Sequence, residues 1–157
     1  MPATSPAGPR IGVAFLLAQL GAHAAEKFSL ALSEQGLTPA LVGILRLLQA
    51  EPGPSQQQLA ERLGMVPSRI VGYVDELESR GWIARSRDTV DRRVNVLTVT
   101  NAGREAFKSI ATISRDHERR ITAGLDAAEH ATLRELLSKL AAGQELTPGV
   151  HPGYRHL

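Results

Sequence analysis

Residues 55–67 constrain the fold most strongly, because the residues at two helix ends there dictate a tight turn. Ser55 and Gln58 form an S-x-x-Q capping box, in which each side chain can satisfy a backbone N-H group of the other's turn, so a helix begins here. Gly64 can adopt the left-handed conformation that ends a helix, and Pro67 suits the first turn of the next one. The sequence therefore predicts two short helices joined by a tight turn.

The second of these helices is predicted to be amphipathic. Five apolar residues with helical spacing form the stripe that is expected to face inward: Val66, Ile70, Tyr73, Val74 and Leu77. On the opposite face, Ser68 and Gly72 make the surface small and polar near the N-terminus of the helix. Arg69 and Val71 lie on the two flanks of this face. A narrow face of this kind suits a helix whose first turns enter the major groove of DNA.

A β-hairpin is predicted after Gly81, because residues 94–98 are rich in β-branched side chains and a turn through Asp88 to Asp91 precedes them. Four arginines crowd the tip and arms of this hairpin: Arg85, Arg87, Arg92 and Arg93. Their charges repel one another unless anions lie nearby, and the two aspartates offset only part of the charge. A phosphate backbone or a narrow minor groove would supply the rest, although a hairpin that is merely solvated remains an alternative.

The spacing of several motifs resembles that of the MarR family of winged helix-turn-helix regulators. The motifs are L-A-E-R-L-G at residues 59–64, D-E-L-E-S-R-G at residues 75–81, D-R-R at residues 91–93, and L-T at residues 97–98 followed by Gly103. This resemblance implies a mainly α fold with a small β-hairpin wing, in which long helices from both termini mediate dimerisation. The chain departs from the family at Arg69, Val71 and Gly72, where Thr or Ser followed by Arg is common, so the operator sequence does not carry over.

One domain is expected, since 157 residues with 43% hydrophobic content suffice for a single core. The predicted parts are a disordered segment (1–9), a helical dimerisation region (10–36 and 101–143), a DNA-binding region (37–100) and a loose C-terminal tail (144–157). The long terminal helices would expose much leucine if they were left unpaired, which favours pairing with a second chain. A monomer in which they fold back on their own chain is the alternative.

Composition excludes several kinds of function. The chain has no cysteine, which excludes a thiol sensor, a disulfide framework and thiolate metal sites, and its five histidines lack the spacing of helical zinc ligands. No cofactor or metal site is therefore expected. No nucleophile, base and orienting acid occur together, so an enzyme is not expected either. The apolar run after Arg10 is too short to span a membrane, which favours a cytoplasmic protein without membrane association.

Base contacts are predicted on the second helix, at Ser68, Arg69 and Gly72, with Val71 on the flank of the same face. Arg69 is the candidate for a bidentate contact to guanine, and a contact to phosphate is its alternative. Gln56 and Gln57, near the N-terminus of the first helix, suit contacts to backbone phosphates.

Arg85, Arg87, Arg92 and Arg93 are the predicted DNA contacts of the wing. The resemblance to the MarR family suggests that Asp91 orients Arg93, while Arg92 points towards the minor groove.

These features together predict a homodimeric, sequence-specific regulator, more specifically a repressor, that binds a palindromic operator in double-stranded DNA. The rival hypothesis is a nonspecific architectural DNA-binding protein, because arginines on a wing give affinity without sequence choice. The resemblance also implies release from DNA by a small aromatic or phenolic effector in the cleft between the dimerisation helices and the DNA-binding region. His23, Phe28 and Arg46 are the candidate ligand contacts there, although each could equally belong to the core, the surface or an ion pair.

Overall fold

The computed structural model describes residues 11–51, 53–89, 93–151 and 153–154. Within these residues the chain forms six helices and one antiparallel pair of strands, which confirms the predicted mainly α fold with a β-hairpin wing. The elements in chain order are α1 (Val13–Ser33), α2 (Pro39–Ala50), α3 (Gln56–Leu63), α4 (Pro67–Ser79), β1 (Ile83–Arg87), β2 (Asn95–Val99), α5 (Asn101–Ile121) and α6 (Ala127–Gly143).

The turn between α3 and α4 has the predicted local structure. The Ser55 hydroxyl accepts a hydrogen bond from the N-H of Gln58 at 3.2 Å, and the Gln58 side chain accepts one from the N-H of Ser55 at 2.9 Å. Gly64 ends α3 with a φ of 64°, a left-handed conformation that glycine adopts without steric cost, and Pro67 begins α4. These two helix ends therefore set the angle between α3 and α4.

The hydrophobic core is centred on α2, which begins at a Thr38 cap as its sequence predicts. Helices α3 and α4, the hairpin, the end of α1 and the middle of α5 pack around it. No polar or charged side chain among the described residues is buried. The largest fully buried side chains are Leu32, Leu41, Ile44, Leu45, Leu48, Leu59, Leu63, Ile70, Val74, Leu77, Ile83 and Leu97.

The hairpin is tied to the core at its base. Strands β1 and β2 pair in register from Ile83 opposite Val99 to Arg87 opposite Asn95. The hydroxyl of Thr100 donates to the carbonyl of Gly81 at 2.6 Å and also accepts from the first turn of α5. The end of α4 and the start of α5 therefore meet at the base of the wing.

Helices α1 and α6 differ from the rest, because most of their apolar side chains face solvent. Helix α6 begins at a capping box of Asp126 and Glu129, a D-x-x-E pattern that can be read in the sequence, yet it buries no residue. No helix in the described part of the chain has the length and apolarity needed to cross a membrane. The large exposed apolar residues of the two helices are Val13, Phe15, Leu16, Leu17, Leu20 and Leu30 on α1, and Leu133, Leu136, Leu137 and Leu140 on α6.

Two expectations from the sequence are wrong. Val66 does not belong to the buried stripe of α4, since it lies at the N-cap, before the helical turns begin, and is 52% exposed. The tail after Gly143 is not loose where the structure describes it: Val150 and Tyr154 pack against the core. The Tyr154 hydroxyl also donates to the carbonyl of Pro39 at 3.1 Å. The burial of one aromatic ring and this hydrogen bond explain why the tail returns to α2.

Candidate nucleic-acid interface

Four of the predicted contact residues lie together on the exposed face of α4. Ser68, Arg69, Val71 and Gly72 are all solvent-exposed, while the opposite face of the helix carries the buried Ile70. No atom lies within 4 Å of the position that a Cβ atom on Gly72 would take. The face is thus small, carries one cation and one exposed apolar side chain, and has room for close approach of a ligand backbone.

A shallow groove between α3 and α4 continues this face. Its lining contains the two predicted phosphate contacts on α3 and residues from the turn and from α4, namely Gln56, Gln57, Ala60, Glu61, Gly64, Met65, Pro67 and Val71. The Gln57 side chain donates to Glu61 at 3.2 Å, along the exposed side of α3. The groove therefore brings the N-terminal turn of α3 and the reading face of α4 onto one surface.

Arg85 has a different setting from the one that its sequence context predicts. It donates hydrogen bonds to the carboxylates of Asp75 and Glu78, and both of these lie on α4. With its amide oxygen turned towards the guanidinium, Gln56 also accepts from Arg85 at 2.9 and 3.3 Å. The hydrogen bond to Asp75 raises the pKa of Arg85 above its usual value. Burial opposes this effect in part, and the negative charge of Glu78 adds to it. Arg85 therefore needs no external anion, because the protein itself supplies two carboxylates.

Two further wing arginines, Arg87 and Arg93, lie closer to the hairpin turn than Arg85 does. Arg87 ends β1 and Arg93 lies in the turn, and both are solvent-exposed. The turn is closed by a hydrogen bond from the N-H of Asp88 to the carbonyl of Val94 at 2.9 Å. Asp91 and Arg92 lie outside the described residues, so the orienting role of the first and the minor-groove role of the second stay predictions.

Arg80 connects three elements, and the sequence indicated only one of its contacts. The i, i+4 spacing of Glu76 and Arg80 on one helix indicates an ion pair, which is present at 2.6 Å. The same guanidinium donates to the carbonyl of Gly36, after the end of α1, at 2.7 Å and lies 5.2 Å from the ring centre of Trp82. Backbone carbonyls leave no pattern in a sequence, which is why the contact to Gly36 could not be predicted. Arg80 thus joins the C-terminus of α4 to the turn between α1 and α2.

The three candidate effector contacts lie on the expected helices, and none of them lines the groove between α3 and α4 or the cavity between α5 and α6. His23 is exposed on α1, Arg46 is exposed on α2, and Phe28 stacks on His117 of α5 with ring centres 5.2 Å apart. Burial between α1 and α5, together with the charge of Arg120, lowers the pKa of His117. The packing against Phe28 therefore favours the neutral imidazole over the charged one.

The cavity between α5 and α6 is lined by other residues, among them Glu118 and His130, whose side chains lie 2.9 Å apart. No group of three or more metal-ligating side chains occurs in the described part of the chain.

Proteins with similar sequences include transcriptional repressors, which is consistent with a DNA-binding surface on α3, α4 and the hairpin. Residues 37–94 match the sequence profile of the MarR family. The HTH-type transcriptional repressor Rv2887 of Mycobacterium tuberculosis is 30% identical over 128 residues, which cover 82% of this chain and 92% of that protein. The HTH-type transcriptional repressor MdtR of Bacillus subtilis is 30% identical over 114 residues, covering 73% of this chain and 74% of that protein.

Comparison with solved structures points to the same family. The crystal structure of the MarR family protein Rv2887 of Mycobacterium tuberculosis in complex with DNA superposes with a TM-score of 0.74 at 29% identity, covering 83% of this chain and 98% of that chain. The helix-turn-helix, the hairpin wing and the long outer helices are thus shared with proteins that regulate transcription, and this chain belongs to the MarR family of DNA-binding transcriptional regulators.

Proposed function

We propose that this protein is a cytoplasmic, homodimeric repressor that binds a palindromic operator in double-stranded DNA. The observation that carries the proposal is the exposed, small face of α4, which lies beside the N-terminus of α3 and is tied to an arginine-bearing hairpin by one buried core. Two relatives at 30% identity are named as repressors, and a solved relative is bound to DNA. These similarities support repression and the choice of duplex DNA as the partner.

Direct reading of base pairs falls to the first turns of α4. The Arg69 guanidinium can donate two parallel hydrogen bonds to the O6 and N7 atoms of a guanine. The exposed methyl groups of Val71 suit the C5 methyl group of a thymine, and Ser68 can donate to or accept from base edges. Gly72 lets the helix backbone approach the groove, because no side chain projects from it.

Contacts to the DNA backbone fall to α3 and the wing. Gln56, Gln57 and the exposed N-H groups of the first turn of α3 suit phosphate oxygens. Arg87 and Arg93 carry positive charge on the exposed arm and turn of the hairpin, where a phosphate or a minor groove would meet them. Arg85 acts chiefly through the protein, since its bonds to Asp75 and Glu78 hold the wing at a constant angle to α4.

The apolar faces of α1 and α6 are proposed to pack against a second copy of the chain. Burying this leucine-rich surface against the same surface of another copy removes it from water and creates a twofold axis. A twofold dimer places two α4 helices about one turn of DNA apart, or roughly 34 Å, which is why a palindromic operator is expected.

A small aromatic or phenolic effector is proposed to release the DNA. The rings of Phe28 and His117 offer a stacking surface between α1 and α5, and His23 and Arg46 offer polar or charged groups on α1 and α2. Such a ligand would favour a dimer in which the two α4 helices no longer match successive grooves.

Selection of bound sequences from a pool of random duplexes, at roughly physiological salt, tests the proposal. The expected product is an inverted repeat whose half-sites are centred about 10 base pairs apart and which binds at least about a thousandfold more tightly than random duplex. Arg69→Ala should relax the preference at particular base pairs, whereas the control Arg87→Ala should weaken binding to all sequences alike. Enrichment of no sequence would instead favour the nonspecific architectural binder.

A further inference from the structure

The C-terminal tail contacts α2 at two positions on the same face of that helix. The Tyr154 ring lies over Gly43, and its hydroxyl donates to the carbonyl of Pro39, the first residue of α2. Close to one helical turn farther along, Gly149 approaches Arg46 so closely that a Cβ atom on this glycine would lie 2.7 Å from a guanidinium nitrogen. The tail therefore follows α2 rather than touching it at a single point.

Gly43 makes room for the tyrosine. A Cβ atom at this position would lie 2.6 Å from the Tyr154 hydroxyl oxygen and 2.8 and 2.9 Å from two ring carbons, distances that real side chains do not tolerate. A glycine inside a helix costs roughly 1 kcal/mol relative to alanine, and the helix carries this cost at the point where the ring docks. The fit between Gly43 and Tyr154 is thus specific in shape.

The short turn between α1 and α2 is held from two sides. On one side, Arg80 at the end of α4 donates to the carbonyl of Gly36 at 2.7 Å. On the other side, three residues farther along the chain, the carbonyl of Pro39 accepts from Tyr154. The C-terminus of α4 and the tail that follows α6 are therefore attached to positions 36 and 39, which lie three residues apart at the junction of α1 and α2.

We propose that Tyr154 is a positioning residue for DNA binding, which docks the tail on α2 and thereby holds α6 at a constant orientation relative to α4. The proposal rests on the proposed function, because α6 matters for DNA only if it belongs to the dimer interface. Helix α6 buries no side chain of its own, so the docked tail supplies an attachment that its packing does not. A docked tail thus lowers the entropic cost of presenting two α4 helices at the spacing of the operator.

The test uses the full-length protein and the duplex that the unaltered protein enriches from a random pool. Gly43→Ala should displace the ring and weaken binding to this duplex by about 3- to 30-fold, in the range of couplings that act over a distance. Tyr154→Ala should have the same effect, and Tyr154→Phe a smaller one because the ring is kept. Leu146→Ala is the matched control within the tail, since this side chain is largely exposed.

Three further measurements separate positioning from simple stabilisation. Combining Gly43→Ala with Tyr154→Ala should weaken binding no more than either change alone, because both remove the same contact. The salt dependence of binding should stay unchanged, since no phosphate contact is lost. Gly43→Ala adds roughly 1 kcal/mol of helix propensity, which offsets part of what the displaced ring loses. Urea denaturation of both variants, with binding measured under conditions where each is fully folded, separates a loss of affinity from a weakened fold.

Docking itself can be followed by titration of the tyrosine absorbance. Burial raises the pKa of Tyr154, an effect that the charge of Arg46 opposes, and Tyr73→Phe leaves Tyr154 as the sole tyrosine. In that background, Gly43→Ala should bring the pKa back towards its ordinary value of about 10.

Equal affinity of Gly43→Ala, Tyr154→Ala and the unaltered protein for the duplex would overturn the proposal, while the proposed function would stand. Failure of the unaltered protein to enrich any duplex would overturn both.

Discussion

Two regions of this molecule place their apolar side chains in opposite ways. In the segment from α2 to β2, leucines and isoleucines of five elements bury one another within a single chain. In α1 and α6, which include Leu136 at 53% exposure and Leu140 at 50%, comparable side chains face solvent. The first region buries its apolar side chains within the chain, whereas the second leaves a large apolar surface exposed.

This difference assigns separate tasks to the two regions. The self-contained region carries the candidate contacts with DNA, on a surface whose angles are set by helix caps, by Arg85 and by the base of the hairpin. The exposed helices are the proposed dimer interface, which would determine how two such surfaces are spaced. Substitutions in the two regions should therefore fail in different ways.

The largest effect is expected from two charges placed on the apolar face of α6. Leu136→Arg combined with Leu140→Arg should halve the mass measured by light scattering at micromolar concentration, because charges would enter the proposed interface. Affinity for the operator should fall by about 10²- to 10⁴-fold, the usual gain from joining two binding sites. Ala131→Arg with Ser138→Arg, on the opposite face of α6, is the matched control. A dimer that tolerates the leucine changes would refute the assigned interface.

A core truncation in the other region should lower stability instead. Leu45→Ala removes a side chain that is fully buried on α2, at an expected cost of about 2–5 kcal/mol in the free energy of unfolding. Urea denaturation measures this loss, which should be the same at low and high protein concentration. Leu136→Ala on α6 should show the opposite behaviour, with a loss that depends on concentration. Identical concentration dependence for the two variants would remove the distinction between the regions.

A smaller effect is expected at the joint between the wing and α4. Arg85→Ala should weaken DNA binding by about tenfold, with little change in the salt slope, because the ion pairs with Asp75 and Glu78 orient the wing. Arg87→Ala should instead reduce the salt slope by about one, as expected for a lost phosphate contact. Binding isotherms at several salt concentrations distinguish the two residues. A reduced slope in Arg85→Ala would show that this arginine contacts the DNA.

The smallest expected effect tests the reading face itself. Gly72→Ala places a methyl group in open space on α4, so the free energy of unfolding should rise by roughly 1 kcal/mol through helix propensity alone. Affinity for the operator should fall at the same time, because the methyl group would stand between the helix and the groove. Thermal unfolding and binding measurements on the same sample check both directions. Higher stability with unchanged affinity would place Gly72 away from the DNA.

Local chemistry explains most of what the sequence predicted correctly. The capping boxes at Ser55 and Asp126, the left-handed Gly64 and the β-branched arm of the hairpin each act over a few residues, so their patterns are readable in order. The exposed face of α4 followed from helical periodicity in the same way. The resemblance to the MarR family identified the hairpin as a wing, and the solved relatives confirm this fold.

Contacts between distant parts of the chain escaped prediction. The fit of Tyr154 against Gly43 joins residues more than a hundred positions apart, although an internal glycine in an apolar helix and an aromatic residue in a Gly- and Pro-rich tail were its available signals. Arg85 was expected to need an outside anion, because the sequence does not show that Asp75 and Glu78 face it across the fold. A cluster of charged residues in a sequence therefore predicts where a binding surface lies more reliably than it predicts which group each residue contacts.

In the proposed dimer, the exposed leucines of α6 would also make the amount of protein in the cell a regulatory variable. If two copies must associate before they can bind the operator, then at low protein concentration the fraction of operator that is bound rises with the square of that concentration. A modest dilution during growth would then reduce the occupancy of the operator more steeply than it would for a monomeric DNA-binding protein. This response needs no small molecule.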